Sequence, residues 1–495
     1  MDLSPTRRSI LTALPAAGLV AAGPPRGDSE PLLLADPHRT AERGGVLATA
    51  GEGEARWEQM PTSARRGEAE VAVDLGDRRH RIEGFGPALT HSAAWLLLRR
   101  PRAERRALLE ELFSPRGAIR LNALRIPLGT CDFAPESHRA RYYSLADRRG
   151  GHRDPLAHLS LARDEETILP VLREIVDIAG ELTVIMSPWS APAWMKTSGS
   201  LVGGELIDDD TTRALYAEYL ARSVDAYEEA VPGLRVTLLT VQNEPLHDTA
   251  AYPCMGMGPE VQIDVVRRVR RELAERRLRT RVLAYDHNWD RVDYPTAVLD
   301  ALAEDGIDDV GAAFHAYGGT ADAVDPLHAA HPDARIWFTE QSGTQDPAKS
   351  PAQDFADGIW WMSTQLFLPA LVHHHRGVVL FNLVLDQDGG PGPATFTNGT
   401  GLVQIDTATG ALTVNSELVV MAHHSRFLPP GSRVVGCPWT EDLPTLAVER
   451  EDGAVVVVLH NNAAARSVTV RLGRRRLTAE LPGWTLATYV LPRRP

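Results

Sequence analysis

Two glutamates stand where apolar runs break off. LLTVQNEPLHD, residues 238–248, is built to be buried until it reaches Asn243 and Glu244, and ARIWFTEQSG, residues 334–343, stops in the same way at Glu340. An ionised carboxylate in a dry interior is strongly disfavoured unless it is paired or made neutral, so each position needs a reason. One glutamate at such a place is commonly a salt-bridge partner or a helix cap. Two of them facing each other about 5 to 5.5 Å apart can cleave a glycosidic bond with retention: one attacks the anomeric carbon and one protonates the departing oxygen. Their charges repel, so one must hold a proton while the other is ionised. Arg125, within LNALRIPLG, carries a permanent charge that could keep one carboxylate ionised and oriented. Tyr317 could donate a hydrogen bond to the same group. Asn243 offers an amide to the sugar hydroxyl beside the reacting carbon, and Pro245 fixes the backbone just after the acid.

These residues need elements that bring them together. Eight short apolar runs read as buried strands: 80–89, 121–129, 182–190, 235–245, 280–288, 310–319, 334–343 and 376–385. Amphipathic stretches such as 211–231 and 259–277 lie between them and read as helices. Strand then helix, eight times, predicts a (β/α)8 barrel with its chemistry at the carboxyl ends of the strands. Polar residues fall at those ends: Arg125, Trp189, Asn243 with Glu244, Asp286 with His287, His315 with Tyr317, and Glu340 with Gln341. A doubly wound open sheet gives the same periodicity and is the alternative.

After about residue 425 short alternating segments, including 453–462, 467–473 and 484–491, predict an antiparallel β-sandwich, and EAEVAVDLGD (68–77) has the character to join it. The organisation expected is therefore a secretion signal over 1–30, a flexible linker over 31–65, and strands over 66–79 that pair into the sandwich. The catalytic barrel follows over 80–425 and the sandwich over 426–495. The signal reading rests on Arg7 and Arg8 ahead of a short apolar stretch ending in Val20-Ala21-Ala22, which fits a twin-arginine export signal and a secreted, extracellular protein. No run of about 18 apolar residues suggests a transmembrane span. A net charge of -13 argues against a nucleic-acid partner, because such surfaces need clustered positive charge. The cysteines, Cys131, Cys254 and Cys437, are in no metal-ligand spacing, and three consecutive histidines at 373–375 cannot all point one way. Neither a metal, another cofactor nor an obligate protein partner is expected.

The stretches EGFGPALT, LRIPLGTCDFAP, SPWSAPAWMKTSGSLVGGEL, TVQNEPL, FHAYGG, FTEQSG and NLVLDQDGGP, in that order, resemble glycoside hydrolase family 30, the glucosylceramidase-like and β-1,6-glucanase-like group. SRFLPPGSRVVG and the β-rich tail resemble that family's sandwich domain. The resemblance implies a retaining β-glycosidase acting on a β-glucoside, glycolipid or glucan, with Glu244 as acid/base and Glu340 as nucleophile. It further implies that Asn243 contacts the sugar 2-hydroxyl and that Arg125 and Tyr317 hold the nucleophile. Asp132, Trp189 and His315 would line the pocket for the terminal sugar, and Cys131 and Cys254 would be unpaired thiols. Two departures concern the second half of the substrate. Phe381 stands where human-like members carry Trp before the Asn-Leu of strand eight, and the loop 392–401 differs. The aglycone is thus ceramide, another alkyl group, or the next glucose of a β-1,6-glucan, with β-xylosidase activity a further family alternative. From another class, a non-catalytic secreted carbohydrate-binding protein would have no need of both glutamates, and a structural cell-surface protein would have no aromatic-lined pocket.

Overall fold

The structure, a computed structural model, describes residues 44–50, 57–135, 142–393 and 396–493. Eight parallel strands form one sheet: β1 (Gly84–Pro87), β2 (Ala123–Leu128), β3 (Thr183–Pro188), β4 (Val236–Thr240), β5 (Arg281–Asn288), β6 (Gly311–His315), β7 (Ile336–Glu340) and β8 (His375–Leu380). Seven lie within the runs expected, and the eighth, His375–Leu380, begins one residue ahead of the run 376–385. Helices fill the intervals, among them Asp210–Ala230, capped by the Asp209 side chain on the Thr212 N–H, and Pro259–Glu275. The sheet closes on itself, which excludes the open-sheet alternative. Leu89 N–H donates to the Arg125 carbonyl at 2.8 Å and Asn122 N–H to the Phe85 carbonyl at 3.0 Å, joining β1 to β2. Gly86 makes this seam possible, since a Cβ there would lie 1.8 Å from the Ala123 carbonyl oxygen.

Inside the ring, side chains stack in layers. The lower layer is apolar: Ala123, Ile185, Leu238, Leu283, Ala313, Trp337 and Val379, one from each of seven strands, with the small β1 glycines completing the ring. The Trp337 indole fills most of this space, and Gly377 yields to it, because a Cβ there would come within 2.5 Å of the indole ring. Two residues further along a strand the side chain points inward again. That rule lifts Arg125, Ser187, Thr240, His315, Thr339 and Phe381 into the next layer, at the carboxyl end. Strand β5 breaks the rule. Its register shifts between Tyr285 and His287, and Tyr285 and Asp286 take positive φ values of 72° and 68°, so Asp286, three residues beyond Leu283, occupies the inward position.

The second module is a sandwich of two sheets. The larger runs in the order Glu58–Met60, Gly45–Ala50, Thr485–Leu491, Val455–Asn461, Thr445–Glu449, Arg433–Gly436, Asp74–Arg81. The smaller runs Thr62–Ser63, Arg475–Leu481, Arg466–Leu472, Ala69–Ala72. Their facing apolar residues, Val46, Val71, Val457, Val468 and Tyr489 among them, form a core separate from the barrel's. Residues 68–77 thus join the sandwich as expected. The linker expectation for 31–65 needs correction: Gly45–Ala50 is buried throughout and pairs residue for residue with 485–490 of the strand Thr485–Leu491. The reason is local. A single apolar hexamer, GVLATA, is diluted by the Gly, Arg and Glu around it, yet six residues suffice for a strand when an edge is waiting. The twin-arginine signal and residues 31–43 lie outside the described residues.

The histidine run sits on the helix-to-strand connection and its rings go three ways. His375 donates from Nδ1 to the Ala370 carbonyl at 2.9 Å and accepts from the Trp289 indole at 3.1 Å. His373 faces Asp325 at 2.9 Å, and His374 stacks on His328 with centroids 3.7 Å apart. All three cysteines are free thiols, which agrees with the implied unpaired state of Cys131 and Cys254.

Closure of the barrel is testable at Gly86. Gly86→Ala must push the β1 backbone off Ala123 and should cost about 3 kcal/mol, seen as a clear fall in thermal midpoint. Gly151→Ala, where the added methyl meets nothing within 4 Å, should leave the midpoint unchanged.

Candidate active site

The polar layer at the barrel's carboxyl end is organised by one cation. Arg125, on β2, is fully buried. Its Nη1 donates to Glu340 Oε2, its Nη2 to Asn243 Oδ1 at 2.6 Å and Asp286 Oδ2 at 2.9 Å, and its Nε to Ser187 Oγ at 3.1 Å. The guanidinium also lies 4.8 Å from the centroid of the Trp189 ring. Burial works against its charge, but the Asp286 and Glu340 carboxylates outweigh that and hold it firmly protonated.

Glu340 ends β7. Besides Arg125 it accepts from the Tyr317 hydroxyl at 3.1 Å. Tyr317 itself receives the Ser342 N–H at 3.1 Å, which leaves its own proton for Glu340 or the Ser342 hydroxyl. The Tyr317 residue is 46% exposed although its hydroxyl is tucked against the carboxylate, so the ring stands at the open mouth. Glu244, just past β4, has φ of 49°, a conformation that costs a non-glycine residue energy and persists only when the surroundings impose it. The surroundings do so: Glu244 N–H donates to the Asp286 carbonyl at 2.9 Å, and Asn243 N–H to the Pro188 carbonyl at 2.8 Å. Its carboxylate meets His315 Nδ1 at 3.1 Å, while His315 Nε2 meets Asp286 Oδ1 at 3.1 Å. Ligating atoms of Glu244, His315 and Glu340 all lie within 4.8 Å of one another. The two carboxyl groups therefore face each other with an oxygen of each no more than 4.8 Å apart, compatible with the short separation of a retaining pair. Arg125 and Tyr317 meet the two Glu340 oxygens, and His315 Nδ1 meets Glu244 Oε1.

The electrostatics separate the groups. Burial raises Asp286, but the Arg125 charge, the His315 hydrogen bond and the Thr339 hydroxyl overcome it, leaving this carboxyl well below the usual range. Burial likewise pushes Glu244 up, and His315 more than reverses it. For Glu340, burial and the neighbouring Glu244 charge win over His315 and Arg125, and its pKa is raised. His315, though buried, is drawn up to about 9 by Glu340, Asp286 and Glu244. The two glutamates titrate as a pair rather than separately. Taken alone these directions would leave the proton on Glu340, but the donors oppose that: Glu340 faces a permanent cation and a hydroxyl, so the proton of the pair goes to Glu244 and His315.

Of the other residues expected here, Asp132 is pushed up to about 8 by burial and by the charges of Glu340 and Glu244, and its Oδ1 is shielded with no hydrogen-bond partner. Such an oxygen suits a sugar hydroxyl. Trp189 and Phe381 stack with centroids 5.8 Å apart and planes at 23°, and Phe133 meets Phe381 edge-on. Both rings are almost wholly buried, so packing and site formation coincide in them. The structure thus brings all nine expected residues to one end of the barrel. The sequence marks Asp286 only as one polar strand end among several, whereas it lies at the centre, accepting from Thr240, Ser187 and Thr339 hydroxyls at 2.7, 3.0 and 2.6 Å. Those three hydroxyl residues were missed altogether. The spacing of two from Ile185, Leu238 and Trp337 would have placed each of them inward.

The glycosyl hydrolase family 30 TIM-barrel domain matches residues 82–428, and the glycosyl hydrolase family 30 β-sandwich domain matches residues 431–489. An endo-1,6-β-D-glucanase of Neurospora crassa is 28% identical over 399 residues, 78% of this chain and 79% of its own length. The lysosomal acid glucosylceramidase of Mus musculus is 28% identical over 438 residues, 83% of this chain and 81% of its own. A solved endo-β1,6-glucanase superposes with a TM-score of 0.80 at 26% identity, covering 91% of this chain and all of that one. With both domain models matched along most of its length and opposed glutamates at the mouth of its barrel, this chain belongs to glycosyl hydrolase family 30 and is a glycoside hydrolase.

Proposed function

We propose that the enzyme hydrolyses β-glucosidic bonds by double displacement, with a β-1,6-linked glucan as its substrate. The observation that carries the mechanism is the 4.8 Å limit on the distance between the Glu244 and Glu340 ligating atoms, each glutamate having its own set of donors. In this reading Glu340, oriented by Arg125 and Tyr317, attacks the anomeric carbon while Glu244 protonates the departing oxygen. Glu244 then takes a proton from water, which opens the glycosyl ester at Glu340. Arg125 fixes Asn243 Oδ1, so the amide's Nδ2 is the donor that it offers to the sugar 2-hydroxyl. A non-catalytic carbohydrate-binding role would leave this division of donors without purpose.

The relatives divide between a glucan and a glycolipid, and the leaving-group side of the cleft favours the glucan. Ceramide carries two long alkyl chains and calls for a broad apolar patch. Among the described residues the large hydrophobic side chains found exposed are Leu246, Tyr317, Trp439 and Trp484, of which only Leu246 and Tyr317 lie near the glutamates. After Leu246 the chain continues with His247, Asp248 and Thr249 and reaches Tyr252, whose hydroxyl meets His247 Nε2 at 3.0 Å. Polar groups and one stacked ring pair suit another sugar. Glucosylceramide is the second reading, supported by Leu246 and by the likeness to the mouse enzyme. No helix of the described residues is long and apolar enough to cross a membrane. The arginine pair and apolar stretch near the amino terminus support export as part of this proposal.

Product analysis on β-1,6-glucan, glucosylceramide and β-xylan side by side should show the glucan cleaved at least tenfold faster than either other substrate, with the β-anomer released first by NMR. Release of the α-anomer would contradict the mechanism, and preference for glucosylceramide or xylan would contradict the substrate. Glu340→Gln should lower kcat/KM on an aryl β-glucoside by roughly 10⁴-fold or more while glucan binding persists. The pH dependence has a definite sign. Turnover needs Glu340 ionised and a proton on the Glu244–His315 pair, so kcat/KM should be bell-shaped. Its acid limb should lie above the ordinary glutamate value of 4.5 because Glu340 is raised, and its alkaline limb should fall as pH approaches about 9.

A further inference from the structure

We propose that Asp286 is a positioning residue that acts through His315, fixing the imidazole tautomer so that the hydrogen bond between His315 and Glu244 must contain the catalytic proton. This rests on the double-displacement reading and assigns its acid a source. The geometry is a chain of three: Asp286 Oδ1 to His315 Nε2 at 3.1 Å, and His315 Nδ1 to Glu244 Oε1 at 3.1 Å. Asp286 has no proton to give. Its Oδ2 already receives the Arg125 guanidinium and the Thr240 and Ser187 hydroxyls, and its Oδ1 the Thr339 hydroxyl. It can only accept, so Nε2 must carry a hydrogen.

With Nε2 protonated, two forms of the pair remain. Either Nδ1 has a lone pair and Glu244 holds the proton, or Nδ1 holds it and Glu244 is ionised. Both contain the same single proton and the same net charge, and the two atoms that share it are 3.1 Å apart. Transfer to the glycosidic oxygen breaks the Glu244 O–H bond. The C–O bond to the leaving group then breaks with its electron pair on that oxygen, and Glu340 forms the new bond to carbon. Afterwards Nδ1 and Glu244 both lack the proton, and the next water supplies it. Were Nε2 not tied to an anion, the ring could carry its hydrogen on Nδ1 alone and donate permanently to an ionised Glu244, which would leave no acid. The Asp286 main chain acts in the same sense, since its carbonyl holds the Glu244 N–H at 2.9 Å.

Other groups face this chain. Near His315 stand Glu340, the His287 ring with its centroid 6.1 Å away and the Tyr317 ring likewise 6.1 Å away. Near Glu244 stand His287, His247 and Asp132. His287 Nε2 lies 3.8 Å from Glu244, and burial brings this ring down to about 4, so it stays neutral through the working range. Arg125 bridges Asp286 and Glu340 and is the one route by which Asp286 could act on the nucleophile instead.

The leaving group separates these routes. A 2,4-dinitrophenyl β-glucoside departs without a proton, whereas an alkyl β-glucoside needs one. Asp286→Asn should lower kcat/KM on the alkyl glucoside by about 10²- to 10³-fold, the ordinary value of a general acid, but on the dinitrophenyl glucoside by less than about tenfold. Its alkaline limb should move down by about one pH unit, since the pair loses the anion that retains its proton. Equal losses on both substrates with an unmoved alkaline limb would overturn the proposal and point to Arg125 and the nucleophile. If Asp286→Asn does not fold, His315→Gln carries the same comparison, with the same selective loss expected and equal losses again overturning it. Failure of the unaltered enzyme to cleave either glucoside would overturn the double-displacement reading itself, a distinct outcome.

Discussion

A buried guanidinium cannot shed its charge, and that constraint shapes the whole carboxyl end of the barrel. Taking Arg125 out of water costs several kcal/mol unless anions and acceptors meet it. Four residues do so from four places in the chain: Glu340 from β7, Asp286 from β5, Asn243 from the end of β4 and Ser187 from β3. Each strand end is thereby held at a fixed height relative to the others, and the fixed distance between the two opposed glutamates follows from it. The apolar layer beneath does the complementary work. Trp337 and its neighbours fill the ring, so the charged layer rests on a packed floor instead of a water-filled pore.

Strain collects where this arrangement departs from regular strand geometry. Glu244, Tyr285 and Asp286 all have φ in the left-handed region, and the β5 bulge spends one extra residue to seat Asp286. A regular β5 would put Tyr285 inward. Its ring instead packs on Tyr294 and Phe314, with centroids 5.1 and 5.8 Å away, while the carboxylate takes the central place. Because the Asp286 carbonyl also receives the Glu244 N–H, the two unusual backbones support each other.

Much of this was legible in the sequence, and what was not has a physical cause. The glutamates, Arg125, His315 and Tyr317 could be found because a strand that ends on a polar residue at the mouth of a barrel advertises it. Asp286 was visible as a polar residue but not as the hub, because a bulge is a property of the backbone and leaves the apolar pattern of TRVLAYDHN unchanged. The hydroxyls of Ser187, Thr240 and Thr339 were overlooked since small polar residues inside apolar runs read as ordinary strand formers. The sandwich strand Gly45–Ala50 was lost for another reason: its partner, Thr485–Leu491, lies at the far end of the chain, and no local window contains that information.

Under the proposed double displacement, the charge carried by the site accounts for how one buried cluster serves both chemical steps. At rest Arg125 contributes one positive charge, Asp286 and Glu340 one negative charge each, and the Glu244–His315 pair with its proton is neutral, so the sum is a single negative charge. Asp132, pushed up to about 8, stays protonated near neutrality and adds nothing. In the proposed mechanism Glu340 becomes an ester and loses its charge, and at the same moment the pair gives up its proton and becomes negative. The sum is unchanged. Only the position of the negative charge moves, from Glu340 to Glu244, across the 4.8 Å that the ligating atoms of both span together with His315. The Arg125–Asp286 pair, which borders both sides, need not move. In a low-dielectric site, where creating a new net charge is costly, an arrangement that only relocates one charge between fixed dipoles keeps the reorganisation small in both directions.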